Sequence, residues 1–222
     1  MHVSSKELFY ENFSSQWDRK INKRETEKRL KVVFNVLLEG HSLKGAKVLE
    51  IGCGLGYFSE RAYKLGAKVT GVDVGKNLLK ISKKRVPKGI FILGSASQLP
   101  FSKESFDFVL CTEVIEHVEN QRKAIEEMFR VIKKGGMLVI TSPNRFFKPL
   151  FDFLSKIGVR PYHGNEKWYY PTTLKGILSK KGKILKEHYF NFLFPIDFFN
   201  RLEKFKQFRN LMINQGYLVK KI

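Results

Sequence analysis

The sequence has little cysteine and no long apolar run, and both shortages narrow the class of protein. Only two cysteines occur in 222 residues, Cys53 and Cys111, so a disulfide-stapled secreted domain is excluded. No apolar stretch approaches the ~20 residues that a membrane-spanning helix needs. The first seven residues are polar and lack the apolar core of a signal peptide. We therefore expect a cytoplasmic protein.

Acidic side chains are also scarce. They number 21 against 41 basic ones, which gives a net charge of +20. The imbalance is largest over residues 142–222, where 16 basic and 5 acidic side chains leave +11, and this third also holds 11 of the 20 phenylalanines. Such a composition would attract RNA or the acidic headgroups of a membrane surface, so peripheral membrane contact is one expectation. The alternative is a lysine-rich surface that serves solubility alone.

Apolar residues make up 43% of the chain, and their spacing predicts the secondary structure. Between residues 45 and 141 short apolar runs alternate with amphipathic segments, which indicates βαβ units and a parallel sheet covered on both faces. Helices are expected before this region, over 6–17 and 20–39, and a loop rich in proline and aromatics after it, to about Tyr170. The predicted strands are Lys47–Ile51, Lys68–Asp73, Gly89–Leu93, Phe106–Cys111, Met137–Thr141, Lys183–Phe190 and Tyr217–Ile222. The remaining predicted helices are Tyr57–Leu65, Gly75–Lys84, Asn120–Ile132 and Pro171–Lys180.

A glycine-rich turn joins the first predicted strand to the helix after it. It reads E-x-G-x-G-x-G from Glu50 to Gly56. Glycines let the backbone turn sharply and let a ligand approach the main chain, and the helix start presents N–H groups to an anionic group. Asp73 ends the next strand, where an acid accepts ribose hydroxyls. A dinucleotide fingerprint would need a third glycine at Tyr57 or Ser59, which disfavours an NAD-dependent oxidoreductase.

Four segments in order resemble the motifs of the class I S-adenosylmethionine (SAM)-dependent methyltransferases. Besides the glycine turn, these are Leu99-Pro100-Phe101 with Ser105-Phe106-Asp107, Val114-Ile115-Glu116-His117-Val118, and the turn Ile132–Ile140, in which Lys134 stands where proline is usual. The resemblance implies an α/β, Rossmann-like fold with a seven-stranded, mostly parallel sheet, helices on both faces and the last strand antiparallel. It also implies one domain over 1–222, with a helical lid or cap (1–44), a SAM-binding core (45–141) and a substrate-side loop with the C-terminal sheet edge (142–222).

The resemblance implies SAM as the cofactor and places it against the glycine turn. One departure concerns the adenine end, where the family often has Gly-Asp and this chain has Gly94-Ser95; Ser95 could still hydrogen-bond the adenine amine. The predicted cofactor-binding residues are Glu50, Gly52, Cys53, Gly54, Gly56, Asp73, Val74, Ser95, Ala96, Thr112 and Glu113.

Catalytic groups are expected after the fourth strand, since ligands bind beyond the carboxyl ends of parallel strands. We predict His117 and Glu116 as catalytic residues. The spacing Glu113-x-x-Glu116-His117 also resembles the metal-binding E-x-x-E-H of small-RNA 2′-O-methyltransferases and ubiquinone-biosynthesis O-methyltransferases. That resemblance implies a Mg²⁺ or Mn²⁺ site of Glu113, Glu116, His117 and His163. The alternative is a metal-free site in which His117 is a lone base or only packs.

The predicted function is SAM-dependent methylation, on oxygen, of a small-molecule or lipid-like acceptor under the aromatic loop of residues 145–170. An RNA methyltransferase is one alternative, because of the basic charge. A SAM-binding regulatory protein without turnover is the alternative from another class.

Overall fold

A seven-stranded sheet forms the centre of the computed structural model, which describes residues 23–158, 166–192 and 206–222, with the backbone alone for 206–208. The strand order is β3-β2-β1-β4-β5-β7-β6. β7 runs antiparallel to both of its neighbours, and the other pairings between adjacent strands are parallel, as predicted. The strands are β1 Lys47–Ile51, β2 Lys68–Asp73, β3 Ile90–Leu93, β4 Phe106–Thr112, β5 Ile132–Pro143, β6 Gly182–Phe192 and β7 Met212–Lys221.

Helices cover both faces of this sheet. One apolar core joins the sheet to Ile125, Met128 and Leu174, and the other joins it to Leu37 and Phe58. Because both faces are covered, the central strands are continuous apolar runs rather than alternating ones. The α-helices are α1 Lys23–Lys31, α2 Tyr57–Lys64, α3 Lys76–Arg85, α4 Gln121–Val131, α5 Lys148–Lys156 and α6 Pro171–Ser179; a π-helical turn, Val32–Leu37, extends α1.

The segment after β5 differs from the sequence prediction. A loop was expected to about Tyr170, but a 3-10 turn, Arg145–Phe147, leads directly into α5. Asn144 starts this turn, since its side-chain oxygen accepts the N–H of Phe146 at 3.2 Å. The Phe151 ring then packs against Trp168, with 5.4 Å between centroids. A proline in the first turn of α5 is compatible with a helix, so Pro149 was a misleading loop signal.

Two strands begin five residues earlier than predicted. β5 begins five residues before Met137 and β7 begins at Met212 rather than Tyr217. The ladder with β5 carries β7 back to Asn214, opposite Pro143, whereas the early start of β5 comes from the pairing of Ile132 with Phe106 of β4. The predicted helix over 6–17 lies outside the described residues, and the division of the domain into three parts stays a prediction. In the described parts of the chain, no helix is long and apolar enough to cross a bilayer.

Candidate active site

The glycine turn between β1 and α2 uses left-handed backbone at all three glycines. Their φ angles are +67° at Gly52, +49° at Gly54 and +79° at Gly56. A Cβ added to Gly52 would overlap the side chain of Val114, whereas one added to Gly54 would meet no described atom within 4 Å. Gly52 is therefore required by packing. Gly54 instead borders an open cradle, the arrangement expected where a ligand approaches the main chain.

Side chains of α3 hold this turn from behind. Ser82 Oγ donates to the carbonyl oxygen of Gly54 at 2.7 Å, and Arg85 Nε donates to that of Leu55 at 2.9 Å. The turn is thereby fixed before any ligand arrives, which reduces the entropy that binding would otherwise cost.

Asp73, at the end of β2, joins the turn to the next loop. Its Oδ2 accepts the N–H of Gly54 at 2.8 Å and its Oδ1 accepts that of Gly75 at 2.9 Å. Each carboxylate oxygen can accept more than one hydrogen bond, so both remain able to bind ribose hydroxyls. Asp73 thus shapes the turn in addition to its predicted role toward the cofactor.

Glu50 and Cys53 are buried side chains of the turn segment. Glu50 is buried, and Ser59 Oγ donates a hydrogen bond to its Oε2. Burial raises the pKa of Glu50 to about 8. Cys53 is buried too, and burial raises the pKa of its thiol, as it does for Cys111. The structure therefore gives Glu50 and Cys53 supporting contacts within the protein.

The predicted adenine end follows β3. Ser95 is exposed and its Oγ accepts the N–H of Ser97 at 3.3 Å, while Ala96 is buried. Val74, between Asp73 and Gly75, is half-buried, and Thr112 is buried at the end of β4. All four lie at the carboxyl edge of the sheet, next to the turn.

Three ionisable side chains cluster just after β4. Glu113 has a left-handed backbone, φ +55°, and its Oε2 accepts Asn214 Nδ2 from β7 at 2.8 Å. Burial raises the pKa of Glu113 to about 7 and raises that of Glu116 well above its usual range. His117 closes a 3-10 turn, Ile115–His117, with its Nε2 3.8 Å from Glu116 Oε1.

A fourth ionisable group, Glu166, comes from the segment after α5. Its Oε1 lies 3.7 Å from His117 Nδ1, and its Oε2 accepts Trp168 Nε1 at 2.9 Å. The segment is fastened to the turn after β4, because Lys167 N donates to Glu116 O at 2.9 Å and Gln121 Nε2 donates to Lys167 O at 2.6 Å. The imidazole of His117 therefore lies between two buried carboxyl groups.

The predicted metal site is not assembled by the part of the chain that the structure describes. Glu113 Oε1 and Glu116 Oε2 are buried and have no hydrogen-bond partner among the described residues, and a cation would satisfy them. Yet no three histidine, cysteine or acidic side chains among the described residues converge closely enough to hold one. His163 lies outside the described residues, so the four-ligand site stays a prediction.

Comparison with known proteins shows the family. Residues 49–140 match the family described as a methyltransferase domain. The chain is 30% identical over 185 residues to the ubiquinone biosynthesis O-methyltransferase of Pseudomonas fluorescens (strain Pf0-1), covering 77% of this chain and 78% of that protein. The chain belongs to the class I SAM-dependent methyltransferases.

Other similar proteins agree with this assignment. The methyltransferase is 40% identical over 107 residues to the demethylmenaquinone methyltransferase of Paenarthrobacter aurescens, which covers 48% of this chain and 42% of that protein. It therefore spans less than half the length of that relative. A SAM-dependent methyltransferase of Thermotoga maritima, titled a possible histamine N-methyltransferase, has the same fold, with a TM-score of 0.73, 22% identity and coverage of 96% and 98%.

The methyltransferase therefore uses SAM as its cofactor, and the glycine turn fits that group. The open side of Gly54 and the carboxylate of Asp73 together offer a main-chain cradle and ribose acceptors. Both curated relatives are named methyltransferases, so the alternatives of an NAD-dependent oxidoreductase and of a SAM-binding protein without turnover are not favoured.

The sequence does not predict three neighbours of the site, which are Glu166, Trp168 and Asn214. Glu166 lies 49 positions after His117, and Asn214 lies 101 positions after Glu113. No spacing pattern links such distant residues. The only available signal was an acid within an aromatic-rich segment on the expected substrate side.

Proposed function

We propose that this methyltransferase transfers the methyl group of SAM to an oxygen atom of a small, lipid-like acceptor such as an alkylated phenol. One observation carries the proposal: the imidazole of His117 lies between Glu116 and Glu166 at the carboxyl end of β4. An oxygen nucleophile needs a group that removes its proton, and this is the edge of the sheet where the family binds its ligands. The name of the Pseudomonas relative supports the same acceptor chemistry.

For the cofactor, we assign the main chain of Gly52–Gly56 to the methionine part of SAM, Asp73 to the ribose, and Ser95 with Ala96 to the adenine. Val74, Thr112 and Glu113 border the same edge, and Glu50 supports the turn through its hydrogen bond with Ser59, with Cys53 buried in the turn itself. SAM supplies the transferable methyl group on its sulfonium.

The protein's part in the reaction is alignment and proton removal. Holding the acceptor oxygen in line with the methyl carbon and sulfur can supply ~7–11 kcal/mol of the barrier. His117 takes the proton of the acceptor hydroxyl as the new C–O bond forms and the C–S bond breaks. The products are the methyl ether, S-adenosylhomocysteine and an imidazolium, which the neighbouring carboxylate of Glu166 stabilises.

The direct test is the His117→Ala variant with SAM and 4-hexylcatechol, a catechol with a short alkyl chain. We expect kcat to fall by about 10²–10⁴-fold, the usual contribution of a general base, with an unchanged calorimetric Kd for SAM. His41→Ala, a partly buried histidine in the loop before β1, is the control and should keep full activity.

A parallel assay in EDTA separates the base from the predicted metal. Full activity in EDTA combined with an inactive His117→Ala variant supports the base. Activity that disappears with EDTA and returns with Mg²⁺ or Mn²⁺ supports the cation instead. An active His117→Ala variant in EDTA would reject both and leave alignment alone as the mechanism.

A further inference from the structure

An exposed apolar stripe runs along α5 and the turn before it. The exposed fractions are 53% for Phe146, 36% for Leu150, 57% for Phe153 and 55% for Ile157. These residues are spaced by four, three and four positions, so they lie on one face of the helix. Single exposed apolar residues are ordinary, but a contiguous row of large ones marks an interaction surface.

The opposite face of α5 is packed, so the stripe is not an unfinished core. Phe151 packs against Trp168 and Ser155 is buried. The stripe continues onto Tyr170, which is 41% exposed and whose ring lies 5.0 Å from that of Phe146. The fold therefore holds the helix firmly while it presents these side chains outward.

The charges beside the stripe are mainly positive. Arg145, Lys148 and Lys156 lie in the same thirteen-residue segment as the stripe, and Asp152 is its one acid. Lys148 pairs with Asp152 at 2.8 Å, while Arg145 lies 5.3 Å over the ring of Tyr170. With a net charge of +20 on the whole chain, the complementary surface is an anionic one.

The size of the stripe distinguishes between anionic partners. The nine residues of α5 span about 14 Å, whereas a stable protein interface buries about 800 Å² on each partner. A short amphipathic helix with aromatic residues on one side and cations beside them matches the interfacial helices that lie flat on lipid. Apolar side chains enter the acyl boundary in such helices, and the cations meet the headgroups.

We propose that α5 and its preceding turn seat this methyltransferase on an anionic membrane surface. The site is close to that surface, because Trp168 contacts Phe151 of α5 and also donates to Glu166, the neighbour of His117. A lipid-like acceptor would then reach the site from the bilayer. This last step rests on the proposed function, whereas binding to vesicles does not.

The test is co-sedimentation of the full chain with phosphatidylglycerol-containing vesicles and with pure phosphatidylcholine vesicles. We expect binding to the first kind that weakens with added salt, and much weaker binding to the second. The Phe146→Ser, Phe153→Ser double variant should bind about tenfold or more weakly, since two exposed rings no longer enter the lipid. Lys156→Gln should cost about fivefold on anionic vesicles alone.

Ile90→Ser is the matched control, because Ile90 is 59% exposed on β3, at the far edge of the sheet. It should sediment like the unmodified protein, and all variants should keep their Kd for SAM, which shows that they are folded. Absence of binding to anionic vesicles, or a double variant that binds as tightly as the unmodified chain, would overturn the proposal. So would a dimer in ultracentrifugation that the double variant abolishes without any vesicle binding, because the stripe would then cover a second copy.

The two proposals fail separately. Vesicle binding without methylation of 4-hexylcatechol would leave the membrane surface standing and reject the acceptor. Methylation of 4-hexylcatechol by a protein that does not bind vesicles would support the acceptor and reject the membrane surface.

Discussion

Two halves of the site are built by contacts of different range. The cofactor half, from β1 to Thr112, is held by contacts between successive βαβ elements, such as Asp73 with the N–H of Gly54. The proposed acceptor half, from Glu116 to Tyr170, depends on partners farther along the chain, such as Glu166 for His117 and Lys167 for the carbonyl oxygen of Glu116. A short-range site leaves a spacing pattern in the sequence, whereas a long-range site depends on how the segments pack.

The largest effect is expected at Gly52. Gly52→Ala would combine left-handed backbone strain with overlap against Val114, and we expect about 2–5 kcal/mol lower stability and no measurable SAM binding.

Gly54→Ala introduces only the left-handed backbone strain, so we expect the variant to lose about 1–2 kcal/mol of stability. Its SAM affinity should fall by about tenfold or more, because the added Cβ enters the open cradle. Calorimetric melting and SAM titration measure both. Wild-type affinity in Gly54→Ala would place the cofactor elsewhere.

Asp73→Ala tests the other side of the cofactor half. The proposed hydrogen bonds to the ribose would be lost, and the N–H groups of Gly54 and Gly75 lose their acceptor. We expect SAM affinity to fall by about tenfold or more in calorimetry. Glu126→Ala, which removes a surface carboxylate on α4 that pairs with Arg122, should leave the affinity unchanged.

Glu166→Gln tests whether the acceptor half is a working assembly. The substitution keeps the shape and an acceptor for Trp168 but removes the charge beside His117. We expect kcat on 4-hexylcatechol to fall by about tenfold, with the same Kd for SAM, since the imidazolium loses a stabilising carboxylate. Glu187→Gln, a partly buried carboxylate paired with Lys175, is the control. Equal losses in both variants would reduce Glu166 to a structural role.

The remaining prediction concerns Glu50 and the pH dependence of stability. Because burial raises its pKa from 4.5 to about 8, the folded state holds a proton that the unfolded chain releases. Stability should therefore fall as pH rises between these values, by up to about 1.4 kcal/mol per pH unit from this group.

Glu50→Gln should flatten that fall in chemical denaturation at pH 5 to 8. In Glu60 the hydrogen bond with Lys64 lowers the pKa instead, so its contribution is lost only at acid pH, and Glu60→Gln should keep the slope of the unmodified protein. An unchanged slope in Glu50→Gln would show that this carboxyl is ionised when folded.

The sequence predicts the fold better than it predicts the acceptor half. All seven strands were placed, because apolar runs in a covered parallel sheet are distinctive, and the antiparallel last strand followed from the family resemblance. The sequence does not predict α5, because its proline and aromatic residues suit a loop as well as a helix. Contacts made in the folded chain, such as that of Phe151 with Trp168, favour the helix. The motif predicts His117 as a catalytic residue, whereas Glu166 belongs to no motif and is brought beside His117 by folding.

The acceptor is tested most directly by tracing the labelled methyl group of SAM. The protein is incubated with methyl-labelled SAM and total extract from its source organism, and the RNA, lipid and aqueous small-molecule fractions are then separated. We expect label in the lipid fraction, in a product that resists mild alkali as a methyl ether does. Label in RNA, or in a methyl ester or methylamine, would contradict it.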